Sequence, residues 1–288
     1  MVRLVIGCGY LGSRVARRWR ESGDEVFVVT RCPQRAAALA AEGYRPLVAD
    51  VTKPETLGGW PEAHTVLYAV GYDRRTAKSI EQVYVEGLQH VLAALRAPRG
   101  RFIYISSTGV HGGRDGAWVD EATPCRPTRR GGRACLDAEQ VLLAHPLADR
   151  SVILRLAGVY GPGRIPRRAA LQLGEPMAAP RDGYMNLIHI DDAVETVLAA
   201  CHRPITLPRT YLVADGKPVR RHEYYAELAR LAGGPAPRYI GPPDDSPAAQ
   251  RASADKRIDN TRMLAELAIS LRYPSFREGL AAIVESES

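Results

Sequence analysis

Three glycines stand where the chain could first do chemistry. In "VIGCGYLGSRV", Gly7, Gly9 and Gly12 form Gly-x-Gly-x-x-Gly between an apolar run and a stretch of helical periodicity. In that context the first glycine permits a tight turn, the second lets backbone approach a pyrophosphate, and the third lets the helix pack on the strand. The helix N-terminus adds positive potential. Tyr10 and Leu11 complete the loop. About 20 residues further on, a carboxylate would hold a ribose 2′-hydroxyl. Here the chain reads Val29, Thr30, Arg31, with Arg35 beyond. A guanidinium stacks on adenine and pairs with a 2′-phosphate that a carboxylate would repel, so the expected cofactor is NADP(H) in preference to NAD(H). The bland alternative for Arg31 is a solvated loop charge. Asp50 and Val51 of "VADVT", and Ala69, Val70 and Gly71 of "LYAVG", end the next two expected strands and complete the cofactor-binding set. Asp50 also suits a plain turn.

The elements that must carry these residues follow from hydropathy. "RLVIG", "EVFVVT", "TVLYAV", "RFIYISS" and "SVILRLA" are apolar throughout, and segments with helical spacing, each with Gly or Pro near its end, lie between them. Strands apolar on both faces and separated by helices predict an α/β fold, a Rossmann-type doubly wound parallel sheet. After Tyr160 the texture changes to Pro/Gly-rich loops, a helix in "HIDDAVETVLAACHRP" and a strand in "TYLVADG". The expected division is a nucleotide-binding domain over 1–160, rejoined by 187–214, and a small C-terminal substrate lobe from 161–186 and 215–288.

With these segments in order, the chain resembles the short-chain dehydrogenase/reductase superfamily, in its atypical or extended branch of NAD(P)-dependent epimerases and dehydratases. The resembling segments are "GCGYLGSRVA", "LVADVT", "VLYAVG", "VYVEGLQHVLAAL", "FIYISSTGVHG", "DEATPCRPT", "ILRLAGVYGPGR", "LIHIDDAVETVLAA" and "TYLVADGKPV", spread over nearly the whole chain. The resemblance implies that Ser107 at the end of the fifth strand binds a substrate oxygen, with Thr108 beside it. It also implies a Tyr-x-x-x-Lys pair on the next helix, where the Lys favours the phenolate of a phenol whose ordinary pKa is about 10. In "GGRACLDAE" the Tyr position holds Gly131 and the Lys position Cys135, while Glu139 keeps register. The usual proton route is therefore absent.

Replacement acids are few. His111, four residues after Ser107, has an imidazole whose ordinary pKa of about 6.5 suits proton transfer, and it also suits a packed residue at the sheet rim. Tyr160 of "VYGPGR" is expected at the pocket mouth as a substrate contact, the resemblance implying instead a residue that fixes the loop; Cys135, which Arg133 beside it could activate as a thiol acid or nucleophile, is expected as a buried inert thiol. His189 and the acids Asp191 and Asp192 read as chain positioning and helix capping, so no metal is expected. Arg126, Arg129, Arg130 and Arg133 precede or open the altered helix, and Arg164, Arg167 and Arg168 follow "VYGPG". Two such clusters suggest an anionic small-molecule substrate, with Arg133 and Arg164 as binding residues; solubilising surface charge is the alternative.

Composition bounds the rest. The 288 residues carry a net charge of +7, with 45% hydrophobic and 25% charged residues, an ordinary globular balance. The basic excess lacks the interleaved aromatics of a nucleic-acid surface. Five scattered cysteines without a CxxC pair indicate neither a disulfide framework nor zinc and fit a reducing cytoplasm. No apolar run reaches the roughly 18 residues of a membrane span, and no secretory leader is expected. The resemblance implies a homodimer. Two functions remain: an oxidoreductase or epimerase/dehydratase-like enzyme with an atypical site, or an inactive dinucleotide-binding sensor or scaffold.

Overall fold

A computed structural model describes residues 1–113, 115–241, 246 and 255–287. Its centre is a seven-stranded sheet. In chain order the strands are β1 (Val2–Ile6), β2 (Glu25–Thr30), β3 (Arg45–Val48), β4 (Thr65–Tyr68), β5 (Phe102–Ser107), β7 (Ser151–Leu156) and β11 (Arg209–Val213). Their spatial order is β11-β7-β5-β4-β1-β2-β3, and β3, β2, β1, β4 and β5 pair in parallel. Leu4, Val5 and Ile6 of β1 and Val66 and Leu67 of β4 are fully buried, so these strands are covered on both faces, which their unbroken apolar runs require. Helices α1 (Gly12–Glu21), α2 (Pro33–Ala41), α3 (Gly87–Ala94) and α4 (Arg130–Leu143) lie between the strands in sequence. Val15, Ala16 and Trp19 are the buried stripe of α1, at the spacing of one helical face.

The order reverses between β1 and β4, which creates the switch point at the carboxyl strand ends where open α/β sheets bind ligands. The doubly wound parallel fold expected from the sequence is thus the one observed.

The chain forms two compact units. The first comprises Met1–Ser107, Arg133–Arg155 and Thr196–Tyr211, and the second comprises Thr108–Gly132, Leu156–Glu195 and Leu212–Ser288. The core of the first gathers Leu4, Ile6, Val66, Tyr68, Phe102, Tyr104, Leu142 and Ile153. That of the second gathers Tyr160, Leu187, Tyr224, Leu228, Phe276 and Leu280. In the second unit short strands pair two by two: β8 (Gly158–Tyr160) with β10 (Leu187–His189), β9 (Tyr184–Met185) with β12 (Val219–Arg220), and β6 (Trp118–Val119) with β13 (Arg257–Ile258). Helix α5 (Arg168–Gln172) follows β8, and helix α6 (Ile190–His202) begins directly after β10.

Candidate functional site

The glycine loop of the first unit is built as its spacing demands. Gly7 has φ +98°, and a Cβ there would lie 2.5 Å from the Ala69 carbonyl oxygen, so the loops after β1 and β4 touch at backbone level. A Cβ on Gly12 would fall on the Gly7 carbonyl, which leaves α1 its close approach to the strand. Gly9 differs: it is exposed, and nothing lies within 4 Å of where its Cβ would be. Two glycines are thus held by the fold and the middle one faces open space, the arrangement that admits a pyrophosphate. Tyr10 packs under the Arg14 guanidinium at 4.0 Å, and Leu11 is buried as α1 begins.

Arg31 is exposed immediately after β2, and Arg35 is exposed in α2. Asp73, just beyond Gly71, feels the positive charge of Arg31, although its own partner Arg75 is the main reason that its carboxyl is held down at about 2. Asp50 spends one carboxylate oxygen on Thr52, accepting its N–H and its hydroxyl at 2.9 Å each. That is the plain-turn alternative raised from the sequence. Val51 is buried and its carbonyl meets His90 Nδ1 at 2.9 Å. Ala69, Val70 and Gly71 leave β4 beside Gly7, and the next residue, Tyr72, donates its N–H to the Tyr84 hydroxyl at 3.2 Å.

Ser107 ends β5, where the chain passes from the first unit to the second. Beneath it in the first unit, Ser106 donates to Glu139, whose carboxylate receives Arg155 Nε at 3.0 Å and a second Arg155 nitrogen at 2.7 Å. Glu139 is 1% exposed and Arg155 8%, so β5, α4 and β7 are joined by a buried ion pair. Cys135, one turn before Glu139, is also buried and lies within electrostatic reach of Tyr104 and Tyr84. Arg133, in the same helix, is exposed.

In the second unit Thr108 and His111 form one short 3-10 turn, and His111 is fully buried. Lys256, itself buried, donates from Nζ to the carbonyl of the following Gly112 at 2.9 Å. A Cβ on Gly132 would stand 2.5 Å from the Gly109 carbonyl, so this turn presses on the start of α4, which must be a glycine there. Arg164 is exposed in the turn it forms with Gly161.

Tyr160, expected at a pocket mouth, is 1% exposed, and its hydroxyl donates to the Ser275 carbonyl at 3.4 Å. The expected capping acids, Asp191 and Asp192, lie in the first turn of α6. His189 Nδ1 accepts the Asp191 N–H at 3.2 Å, while Asp192 reaches away to accept the N–H groups of Arg272 and Tyr273 at 2.7 and 3.0 Å. The Asp192 carboxyl therefore ties the C-terminal segment to α6. Among the described residues no group of three His, Cys, Asp or Glu side chains could hold a metal ion.

Sequence reasoning missed Asp215. It lies two residues beyond β11, in "TYLVAD", and is 5% exposed. Oδ1 accepts the Lys217 N–H at 3.0 Å, whereas Oδ2 is enclosed with no hydrogen-bond partner among the described residues. Burial first, then the charges of Asp192 and Glu278, push its carboxyl up to about 7 against the pull of Lys217. Its one visible signal was a carboxylate just after an apolar run.

Comparison with known proteins accords with this geometry. The model of the NAD dependent epimerase/dehydratase family matches residues 3–214. Protein YeeZ of Escherichia coli K12 is 27% identical over 277 residues, covering 94% of this chain and 95% of its own. A solved structure of a conserved protein of unknown function from Silicibacter pomeroyi is 29% identical, covers 100% of this chain and 99% of its own, and superposes with a TM-score of 0.76. MoeE5, solved in complex with UDP-glucose and NAD, is 24% identical over 100% of both chains with a TM-score of 0.79, a likeness of fold. By its glycine loop, its switch-point sheet and the family match over most of its length, this chain belongs to the NAD dependent epimerase/dehydratase family.

Proposed function

We propose that the protein is an NADP(H)-dependent oxidoreductase, or an epimerase/dehydratase-like enzyme, acting on an anionic small molecule. The observation that carries the cofactor half is the open Gly9 between two glycines that the fold holds shut. The dinucleotide would lie over Gly7–Gly12 and the Ala69–Gly71 backbone and would supply the hydride. Arg31, exposed where an NAD-selective site would keep a carboxylate, favours the 2′-phosphate. Ser107 orients the substrate oxygen, and His111 or water supplies the proton.

The exposed Arg133 and Arg164 favour an anion, and the UDP-glucose held by MoeE5 makes a nucleotide-sugar-like compound the first class to screen. The segments 161–186 and 215–288 are assigned as the lobe that chooses the substrate. A second reading, a dinucleotide-binding sensor, is favoured by Gly131 and Cys135 standing where the family keeps its acid and its cation.

Calorimetric titration with NADPH, NADP+, NADH and NAD+ tests the reading, on the native chain and on Arg31→Glu. Tight binding of the phosphorylated pair, lost in the variant, is expected. Weak binding of all four sinks both readings.

A further inference from the structure

We propose that Tyr84 is the proton donor and acceptor of this protein, a phenol from a different helix that takes over the task of the absent Tyr-x-x-x-Lys pair. The proposal rests on the dinucleotide-dependent reading above and replaces His111 or water as the proton source within it.

The argument begins with the backbone. Gln82–Glu86 is a π-helical turn running directly into α3, and Tyr84 is its middle residue. Such turns are rare and gather at functional sites, because the extra residue turns a side chain out of helical register. Here the displaced side chain carries its oxygen to the rim of the sheet. Tyr84 Oη accepts the N–H of Tyr72 at 3.2 Å, and the two rings meet edge to face at 6.4 Å. Tyr72 follows Gly71 and the Ala69–Val70 backbone that abuts Gly7 at the switch point. The strand register places Tyr68 opposite Tyr104, so Gly71 and Ser107 stand equally far beyond the last paired residues of β4 and β5. Tyr84 therefore holds its hydroxyl at the strand ends where both the glycine loop and the substrate-orienting serine emerge.

The chemistry at that hydroxyl is specific. Among the described residues its oxygen receives a backbone N–H while its own proton goes to no acceptor. An O–H in that state is available to a substrate oxygen, and the phenolate left behind keeps the Tyr72 N–H as a fixed donor. Burial first, and then Cys135, raise the Tyr84 phenol above its usual range, with the Tyr72 N–H opposing them, so the group is protonated at neutral pH and needs a cation beside it to release its proton readily. Cys135, at the α4 position expected to hold the lysine, lies within electrostatic reach of this phenol. The neighbouring phenols are less suited: Tyr72 donates its hydroxyl to the Lys78 carbonyl, and Tyr68 and Tyr104 are shut inside the core at 1% and 2% exposed, Tyr68 with its hydroxyl lacking a partner among the described residues. His111 is fully buried.

In the reductive direction Tyr84 gives its Oη proton to a carbonyl oxygen while a hydride from the reduced dinucleotide adds to the carbonyl carbon. The C=O π bond is replaced by one C–H and one O–H bond, the dinucleotide is oxidised, and the tyrosinate regains its proton from water. In the oxidative direction the tyrosinate takes the alcohol proton as the hydride leaves.

The test uses the full chain with 3-fluorotyrosine placed at position 84, titrated by 19F NMR with and without saturating NADP+. The same samples are titrated calorimetrically with NADP+. A cationic nicotinamide beside the phenol lowers its pKa by about one unit or more. Tyrosinate absorbance of the native chain minus Tyr84→Phe provides the same pKa without the fluorine. A drop on binding supports the proposal. Calorimetric binding with an unmoved Tyr84 pKa overturns it and leaves the cofactor reading standing. Absence of calorimetric binding overturns the cofactor reading and the proposal with it.

Discussion

Replacing Asp215 by Asn will make the protein more stable at alkaline pH and not at acid pH. The carboxyl is 5% exposed, with Oδ2 enclosed, and is pushed up to about 7 from an ordinary 3.8, first by burial and then by Asp192 and Glu278. That shift is about 3 units, and at about 1.4 kcal/mol per unit it is worth roughly 4 kcal/mol. Below pH 4 the folded and unfolded chains both keep the proton and the group is neutral in the balance. Between pH 4 and 7 the unfolded chain sheds its proton while the folded one holds it, so native stability falls as pH rises. Above 7 the folded carboxyl ionises too and the loss stays at its full value. Asparagine stays uncharged throughout, and its amide oxygen can still accept the Lys217 N–H that now ends on Oδ1. Its NH2 group is buried where Oδ2 was, at a pH-independent cost of about 1–3 kcal/mol. Urea unfolding of both proteins at pH 4.5, 6, 7 and 8 reads the difference directly, since every other carboxylate is common to the two and cancels. The variant should gain on the native chain by about 3–4 kcal/mol between the first and last pH. A difference that is flat with pH would refute the reasoning, because it would mean that the buried carboxyl titrates in its ordinary range.

The remaining predictions concern the first unit. Gly9→Ala meets open space and should leave the melting temperature unchanged while weakening dinucleotide affinity, as calorimetry will show. Gly7→Ala should lower both, since its φ of +98° and the Ala69 carbonyl 2.5 Å from the new Cβ add a clash to roughly 1–2 kcal/mol of backbone strain. Glu139→Ala leaves the Arg155 guanidinium buried without that carboxylate and should cost about 3–5 kcal/mol in urea unfolding, an effect that added salt should barely alter because the pair is screened from solvent.

The strands and the glycine loop were legible because their causes are local. An apolar run covered on both faces announces itself in β1 or β4, and Gly7 and Gly12 report contacts with backbone only a turn or one strand away. The parts that were not legible share the opposite origin. Two-residue strands such as β6 and β13 have no periodicity to read, and their pairing joins Trp118 to Arg257 across a long separation in sequence. Asp192 lies at the start of a helix like any capping residue, yet its carboxylate is taken by the N–H groups of Arg272 and Tyr273, whose approach no window around α6 contains. The same reason hid the π-turn at Tyr84, since "SIEQVYVEGLQHVLAAL" has an unbroken helical texture and only the three-dimensional packing displaces one residue from it. A motif search over this chain finds where the family's acid is missing, at Gly131. A replacement held by another helix has no fixed spacing from that gap and can be found only by asking which partly exposed hydroxyl at the strand ends still has a proton to give.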